Sequence, residues 1–137
     1  MTIVGFHFTN IHVHKDKAAS GRINVGTNYS LKDVQETDVP MGKSKQKGLK
    51  YSFEFVASYE PEVGAIKMNG NVVAIEDEAK HAKILEGWKK NNSLEVEDMK
   101  PIMNHVVQKC YVQALVLSKD INLPPPFKLP KVTDKQQ

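Results

Sequence analysis

The chain has one cysteine, one tryptophan and no long apolar run, and each scarcity closes off a class of protein. A lone Cys110 excludes an intrachain disulfide and suits a reducing compartment. No stretch approaches the roughly 18 consecutive apolar residues of a membrane-spanning helix. Met1 to Val13 alternates and has no basic start, so it does not read as a secretory leader. No glycine-rich loop joins a strand to a helix and no serine sits in a nucleophile elbow, so neither phosphate cradling nor acyl transfer is written in the chain. Internal repeats are absent. What remains is 137 residues, 40% hydrophobic and 26% charged, the composition of a single globular domain. Such a chain buries about two thirds of its unfolded surface.

The stretch from Glu95 to Ser118 organises the rest. Met99, Ile102, Met103, Val106, Cys110, Ala114 and Leu117 recur in steps of three and four, the period of an amphipathic helix. Lys100, Asn104, Gln108, Lys109, Gln113 and Lys119 form the opposite, polar face. Two starts are written: Ser93 as cap with Glu95 and Glu97 in the first turn, or Asp98 as cap with Pro101 soon after. From Ser93, Pro101 falls in the second turn and bends the helix modestly. Pro124, Pro125 and Pro126 end it. A helix of roughly 24 residues spans about 36 Å, enough to cover a small sheet. Cys110 lies on the apolar stripe and reads as core.

The preceding residues supply that sheet. Ile3 to Lys15 is a strand with a change of phase: Phe6 and Phe8 share one parity, Ile11 and Val13 the other. A bulge near Thr9 and Asn10 returns all four to one face. Asp16 to Gly21 is a turn, and Ile23, Val25, Thr27, Tyr29 and Leu31 then alternate cleanly with polar residues. Gln35 to Gly48 has no period, with Pro40, Gly42 and three alternating lysines, and reads as a mobile loop of about 14 residues. Leu49 to Tyr59 is the strongest strand, turned by Glu60 to Gly64 into a hairpin partner, Ile66 to Ala74. Gly70, facing inward, leaves a gap for a large residue such as Trp88 or Tyr111. Asp77 to Lys90 is a short helix with His81, Ile84, Leu85 and Trp88 on one side, ended by Asn91-Asn92-Ser93. Strands followed by helices predict α+β: a four-stranded antiparallel sheet, simplest as a meander, with both helices on one face.

Charge and histidine offer little chemistry. The net charge of +3 gathers at Lys43, Lys45, Lys47 and Lys50 and at Lys128, Lys131 and Lys135. His12 and His14 point to one face of a strand, but a zinc site needs three or four ligands and no third is placed. His81 and His105 read as half-buried packing. Glu95, Glu97 and Asp98 suit a helix N-terminus for dipole reasons alone. No reaction, metal or cofactor is named by these residues, and the chain is read as a non-enzyme.

The order of elements resembles the SecB family of export chaperones. The resemblance rests on the opening strand Phe6-His7-Phe8-Thr9-Asn10-Ile11-His12-Val13, the alternating second strand and the long hairpin Tyr51 to Ala74. Its most specific part is Val107-Gln108-Lys109-Cys110-Tyr111-Val112-Gln113-Ala114 followed by Leu123-Pro124-Pro125-Pro126-Phe127-Lys128-Leu129-Pro130, similar to the Pro/Leu/Asn/Pro exit of the family's long helix. It implies one SecB-like domain over residues 1–132 with a short polar tail, 133–137. It also implies a cytoplasmic homotetramer built as a dimer of dimers, with strand edges pairing between subunits and long helices meeting in the middle. Unfolded polypeptide then lies in hydrophobic grooves between sheet and helices. Two features depart from the family pattern: this chain is basic where the family is typically acidic, and Thr133 to Gln137 lacks a zinc-binding or acidic tail for the export motor. A holding or adaptor role therefore fits better than dedicated export.

The sequence-based expectation is an ATP-independent chaperone whose groove is lined by Trp88, Leu85, Met103, Tyr111 and Phe127. Methionines repack around varied partners, and prolines hold Phe127 extended at little entropic cost. Tyr51, Phe53, Phe55, Met68, Met99 and Met103 are also more apolar surface than a thin domain easily hides, which favours a homo-oligomer. The alternative is a basic RNA- or ribosome-binding module using Lys43, Lys45, Lys47 and Lys50 beside Tyr51. Tyr51 shares parity with Phe53 and Phe55, however, and so faces the core.

Overall fold

The structure, a computed structural model, describes residues 1–17 and 21–127. It comprises β1 (Thr2–Lys15), β2 (Asn24–Met41), β3 (Ser44–Glu60), β4 (Gly64–Ile75), α1 (Glu78–Asn91) and α2 (Val96–Asp120). The architecture is α+β, one antiparallel four-stranded sheet with both helices on one face. The strand order is β1-β4-β3-β2, so the expected meander is corrected. Three hairpin-connected strands have the first strand beside the last, a Greek-key order. Residues 18–20, inside the turn expected after β1, lie outside the described residues, as do Lys128 to Gln137 with the polar tail and the end of the proline-rich exit.

Register follows the apolar pattern. β1 shifts against β4 between Phe8 and Asn10, which places Phe6, Phe8, Ile11 and Val13 opposite Val72, Gly70, Met68 and Ile66. All four thus share the helix-covered face, as the change of phase predicted. A second irregularity, between Ile3 and Gly5, went unread.

The segment Gln35–Gly48 is not a loop. β2 continues to Met41 and pairs with β3 from Ser44 onward. Gly42, at φ 66°, and Lys43 make the two-residue connection between them. Glycine first in such a turn supplies the positive φ that matches strand twist. The period was hidden by an irregularity between Leu31 and Asp33, which shifts the parity of all that follows. Val34 faces inward opposite Tyr51, whereas Val39 is buried on the outer face over Gly48 and Val73.

The gap at Gly70 is filled from the neighbouring strand, not from the helices. A Cβ there would meet the His7 carbonyl oxygen and lie 2.7 Å from Phe53 Cζ. Phe53 stacks on Phe6 at 5.3 Å between ring centroids, and Phe8 packs edge-on to both. Neither Trp88 nor Tyr111 is needed there.

Tyr51, Phe53, Phe55 and Met68 are at most 1% exposed within one chain, Met103 is 9% exposed and Met99 is half-buried. The oligomer argument built on these six residues is therefore corrected, because their apolar surface is intramolecular core. The large apolar side chains that do face solvent are others, among them Val4, Ile11, Tyr29, Val96, Val112 and Val116.

Candidate functional site

α1 is capped at both ends. Asp77 accepts from the Lys80 amide at 2.9 Å, and Asn92 in the left-handed region donates its amide to the Trp88 carbonyl at 2.8 Å. α2 starts at neither expected cap: Glu95 precedes it and makes no side-chain capping bond. Asp98 instead lies in the first turn, nearly buried, with Lys80 Nζ of α1 at 3.1 Å. That ion pair ties the two helices, and it holds the Lys80 ammonium above its ordinary pKa. Pro101 occupies the second turn, where the amide it lacks would otherwise bond one turn back.

Held this way, α2 turns Ile102, Met103, Val106, Cys110 and Ala114 onto the sheet, with Met99 and Leu117 partly buried beside them. Cys110 is wholly buried, and burial pushes its thiol up to about 12. The stripe was thus read correctly, and Ser118, with its hydroxyl donating to the Leu115 carbonyl at 2.8 Å, extends it.

Beside that stripe the helix and the sheet do not close. A cleft of about 300 Å³ opens between Tyr29 and Leu31 of β2 and Val96, Met99, Met103 and Val107 of α2. Lys100 and Asn104 stand at its helix side and Ser30 on the strand. Tyr29 is 45% exposed and Val96 71% exposed. Among the described residues β2 is an edge strand, paired with β3 alone. An apolar trough next to an open strand edge suits an extended chain, whose alternate side chains enter the trough.

Of the five residues expected to bind polypeptide, Met103 alone lines this cleft. Tyr111 and Phe127 are brought together elsewhere, their rings parallel within 9° and 5.0 Å apart, with Tyr111 edge-on to Phe55 at 5.8 Å. Trp88 and Leu85 lie half-buried against the core from α1. The Trp88 indole N–H donates to Asp33 Oδ1 at 3.2 Å, tying α1 to the irregular point of β2. Among the described residues Trp88 makes no ring pair with Tyr111 or Phe127, so the five do not form one groove wall. Sequence reasoning missed Tyr29, Leu31, Val96 and Val107. Tyr29 was legible as a large ring on a half-wet strand, but which strand lies at an edge was not.

The lysine-rich segment is the β2–β3 hairpin. Lys47 Nζ sits 2.8 Å from Asp38 Oδ1 and 3.8 Å from Glu36 Oε1. The hydrogen bond from Lys47 holds Asp38 below the usual carboxylate range, and Asp38 in turn holds Lys47 above its own. Tyr51 is 1% exposed, so it offers no face for a base to stack on, and burial raises its phenol pKa. His81 Nε2 lies 2.8 Å from Glu36 Oε2, and His105 packs against Phe6. His12 and His14 are exposed and adjacent, with His14 3.2 Å from Asp16. Among the described residues no three His, Cys, Asp or Glu side chains gather in metal-binding fashion. No described helix is long and apolar enough to cross a membrane.

By sequence, the chain matches no family model and no curated protein. By structure, it is similar to the SecB-like chaperone of Mycobacterium tuberculosis, solved in complex with a ChAD peptide from the HigA1 antitoxin. The TM-score is 0.56 and the identity 8%, over 98% of this chain and 91% of that one. At 8% identity the likeness is one of fold: the chain has the SecB-like arrangement of four antiparallel strands and two helices along nearly its whole length.

Proposed function

We propose that this protein is a SecB-like holding chaperone, which binds extended segments of non-native polypeptide in apolar grooves along α2 without nucleotide hydrolysis. The observation that carries the proposal is the open cleft between β2 and α2, with Tyr29 and Val96 left in solvent and two methionines beneath them. A monomeric domain gains nothing in stability from exposing such residues, whereas a binding surface requires it. The fold likeness supports the same reading, since the similar chaperone was solved with a bound peptide. Met103 is then a direct contact, Tyr111 and Phe127 form a second apolar position further along α2, and Leu85 and Trp88 hold α1 against the sheet beside the cleft.

The reading includes a homo-oligomer, a dimer or tetramer, in a cytoplasmic setting. Its support is a different surface from the one the sequence suggested. Val112 and Val116, one turn apart on α2, are 66% and 46% exposed. Val116 also lines an apolar recess of about 440 Å³ together with Leu115, Leu123 and Pro125. No described feature favours the RNA-binding alternative, because the hairpin lysines have no exposed Tyr51 beside them.

A photo-crosslinking side chain placed at Tyr29 tests the site. It should capture an unfolded client and spare the same client once folded; equal capture of both, or of neither, removes the cleft from the proposal.

A further inference from the structure

We propose that the face of Tyr111 is a binding position for an aromatic side chain of a bound polypeptide, filled in the free protein by the chain's own Phe127. This rests on the polypeptide-holding reading above and adds to it a built-in competitor.

After α2 the chain is anchored at three points. Lys15 Nζ donates to the Asn122 carbonyl at 3.4 Å. The Leu123 amide donates to the Ser118 carbonyl at 2.8 Å, and the Tyr59 hydroxyl donates to the Pro124 carbonyl at 2.7 Å. Beyond Pro124, no hydrogen bond holds residues 125 to 127 among those described. Pro125 and Pro126 have no amide hydrogen to give. Pro126 is buried and Phe127 half-buried, its ring parallel to Tyr111 at 5.0 Å, the outer member of a column that continues through Tyr111 to Phe55.

Among the described residues, segment 125–127 can leave without breaking a hydrogen bond. Its departure exposes one face of Tyr111 and the surface that the buried Pro126 covers, and an incoming extended apolar segment ending in a ring restores both, so displacement is an exchange of like for like. The segment also defines the ligand it mimics: an extended stretch without secondary structure that ends in an aromatic residue. Non-native polypeptides present that chemistry, and prolines merely fix it in advance. Tethering gives Phe127 an effective concentration in the millimolar range for short linkers, so weakly matched clients are excluded. Apparent affinity falls in proportion to the fraction of molecules in which the site is open.

The test uses the full chain and a fluorescent peptide copying residues 123–127, Leu-Pro-Pro-Pro-Phe, followed by anisotropy. Phe127→Ala should bind this peptide tighter than wild type by on the order of tenfold or more, the closed fraction being removed. The gain should vanish in Phe127→Ala/Tyr111→Ala, and with a peptide ending in alanine. Phe127→Leu, which keeps apolar bulk but no ring, should fall between and guards against loss of fold, checked by melting. Equal or weaker binding by a folded Phe127→Ala overturns the proposal, because Phe127 is then a groove wall or a tail anchor. The two readings fail separately. Tighter peptide binding without suppression of client aggregation keeps the Tyr111 position and removes the chaperone; suppression with no difference between variants does the reverse.

Discussion

The two halves of α2 face the sheet differently. Near Met103, the helix and the edge strand β2 leave a cleft open to solvent. Near Tyr111, comparable apolar surface is topped by Phe127, from a segment the chain folds back on itself. One helix with one continuous stripe thus presents an open position and a filled one. Periodicity decides which side chains face the sheet, but not whether the sheet reaches them. At its N-terminal half α2 lies toward an edge strand with no described strand beyond it; at its C-terminal half Tyr59 and Leu123 draw the exit segment inward.

The largest effect that breaks this contrast is expected from Phe55→Ala. Phe55 is fully buried beneath Tyr111, so its loss removes the floor of the filled end and should cost about 3–5 kcal/mol in urea unfolding. A cost under about 1 kcal/mol would mean that the ring column does not support that end.

High pH should strain the shared core under both ends. Burial pushes the Cys110 thiol and the Tyr59 phenol each up to about 12, and raises Tyr51 too. The unfolded chain releases these protons from about pH 9 upward while the folded chain keeps them. Their contribution is therefore complete below about pH 9 and declines as pH rises toward 12. Melting temperature should fall across that window, and Cys110 should stay unreactive to a thiol reagent at pH 8 until the protein unfolds. Rapid labelling of native protein would contradict its burial.

Tyr59→Phe sharpens the contrast at the filled end alone. It removes one hydrogen bond to Pro124 and should cost about 0.5–1.5 kcal/mol. Chymotryptic cleavage at Phe127 should rise, while the β2–α2 cleft keeps its client binding. Tyr29→Ala is the complement at the open end, with the smallest effect on stability. A side chain 45% exposed should change it by no more than about 0.5 kcal/mol, yet client binding should drop. Unfolding comparable to Phe55→Ala would show that Tyr29 belongs to the core.

Much of the fold was legible because local pattern and tertiary structure agree. The β1 irregularity was written in the changed parity of Ile11 and Val13, the β3–β4 hairpin in strict alternation, and α2 in its stripe. What failed was set by contacts between distant residues. An extra residue near Lys32 flips the parity of β2, so Val34 faces the core together with Leu31 despite the odd spacing, and a continuous strand looked aperiodic. The pairing of β1 with β4 joins residues at opposite ends of the sheet's sequence, which no local signal reports. Gly70 was read correctly as a gap, but a cross-strand phenylalanine fills it more directly than any helical residue. The site suffered most: Met103 was found because it lies on a periodic stripe, whereas Tyr29 and Val96 become surface only through strand order and helix placement.

The central claim is that α2 and its sheet hold non-native polypeptide without nucleotide. It is tested most directly by diluting a denatured client into buffer with a stoichiometric amount of the wild-type chain and no ATP, and following light scattering. The account predicts that scattering is suppressed in proportion to added protein and that Tyr29→Ala, folded and equally stable, suppresses less. Client aggregation at the same rate with and without the wild-type protein would contradict it.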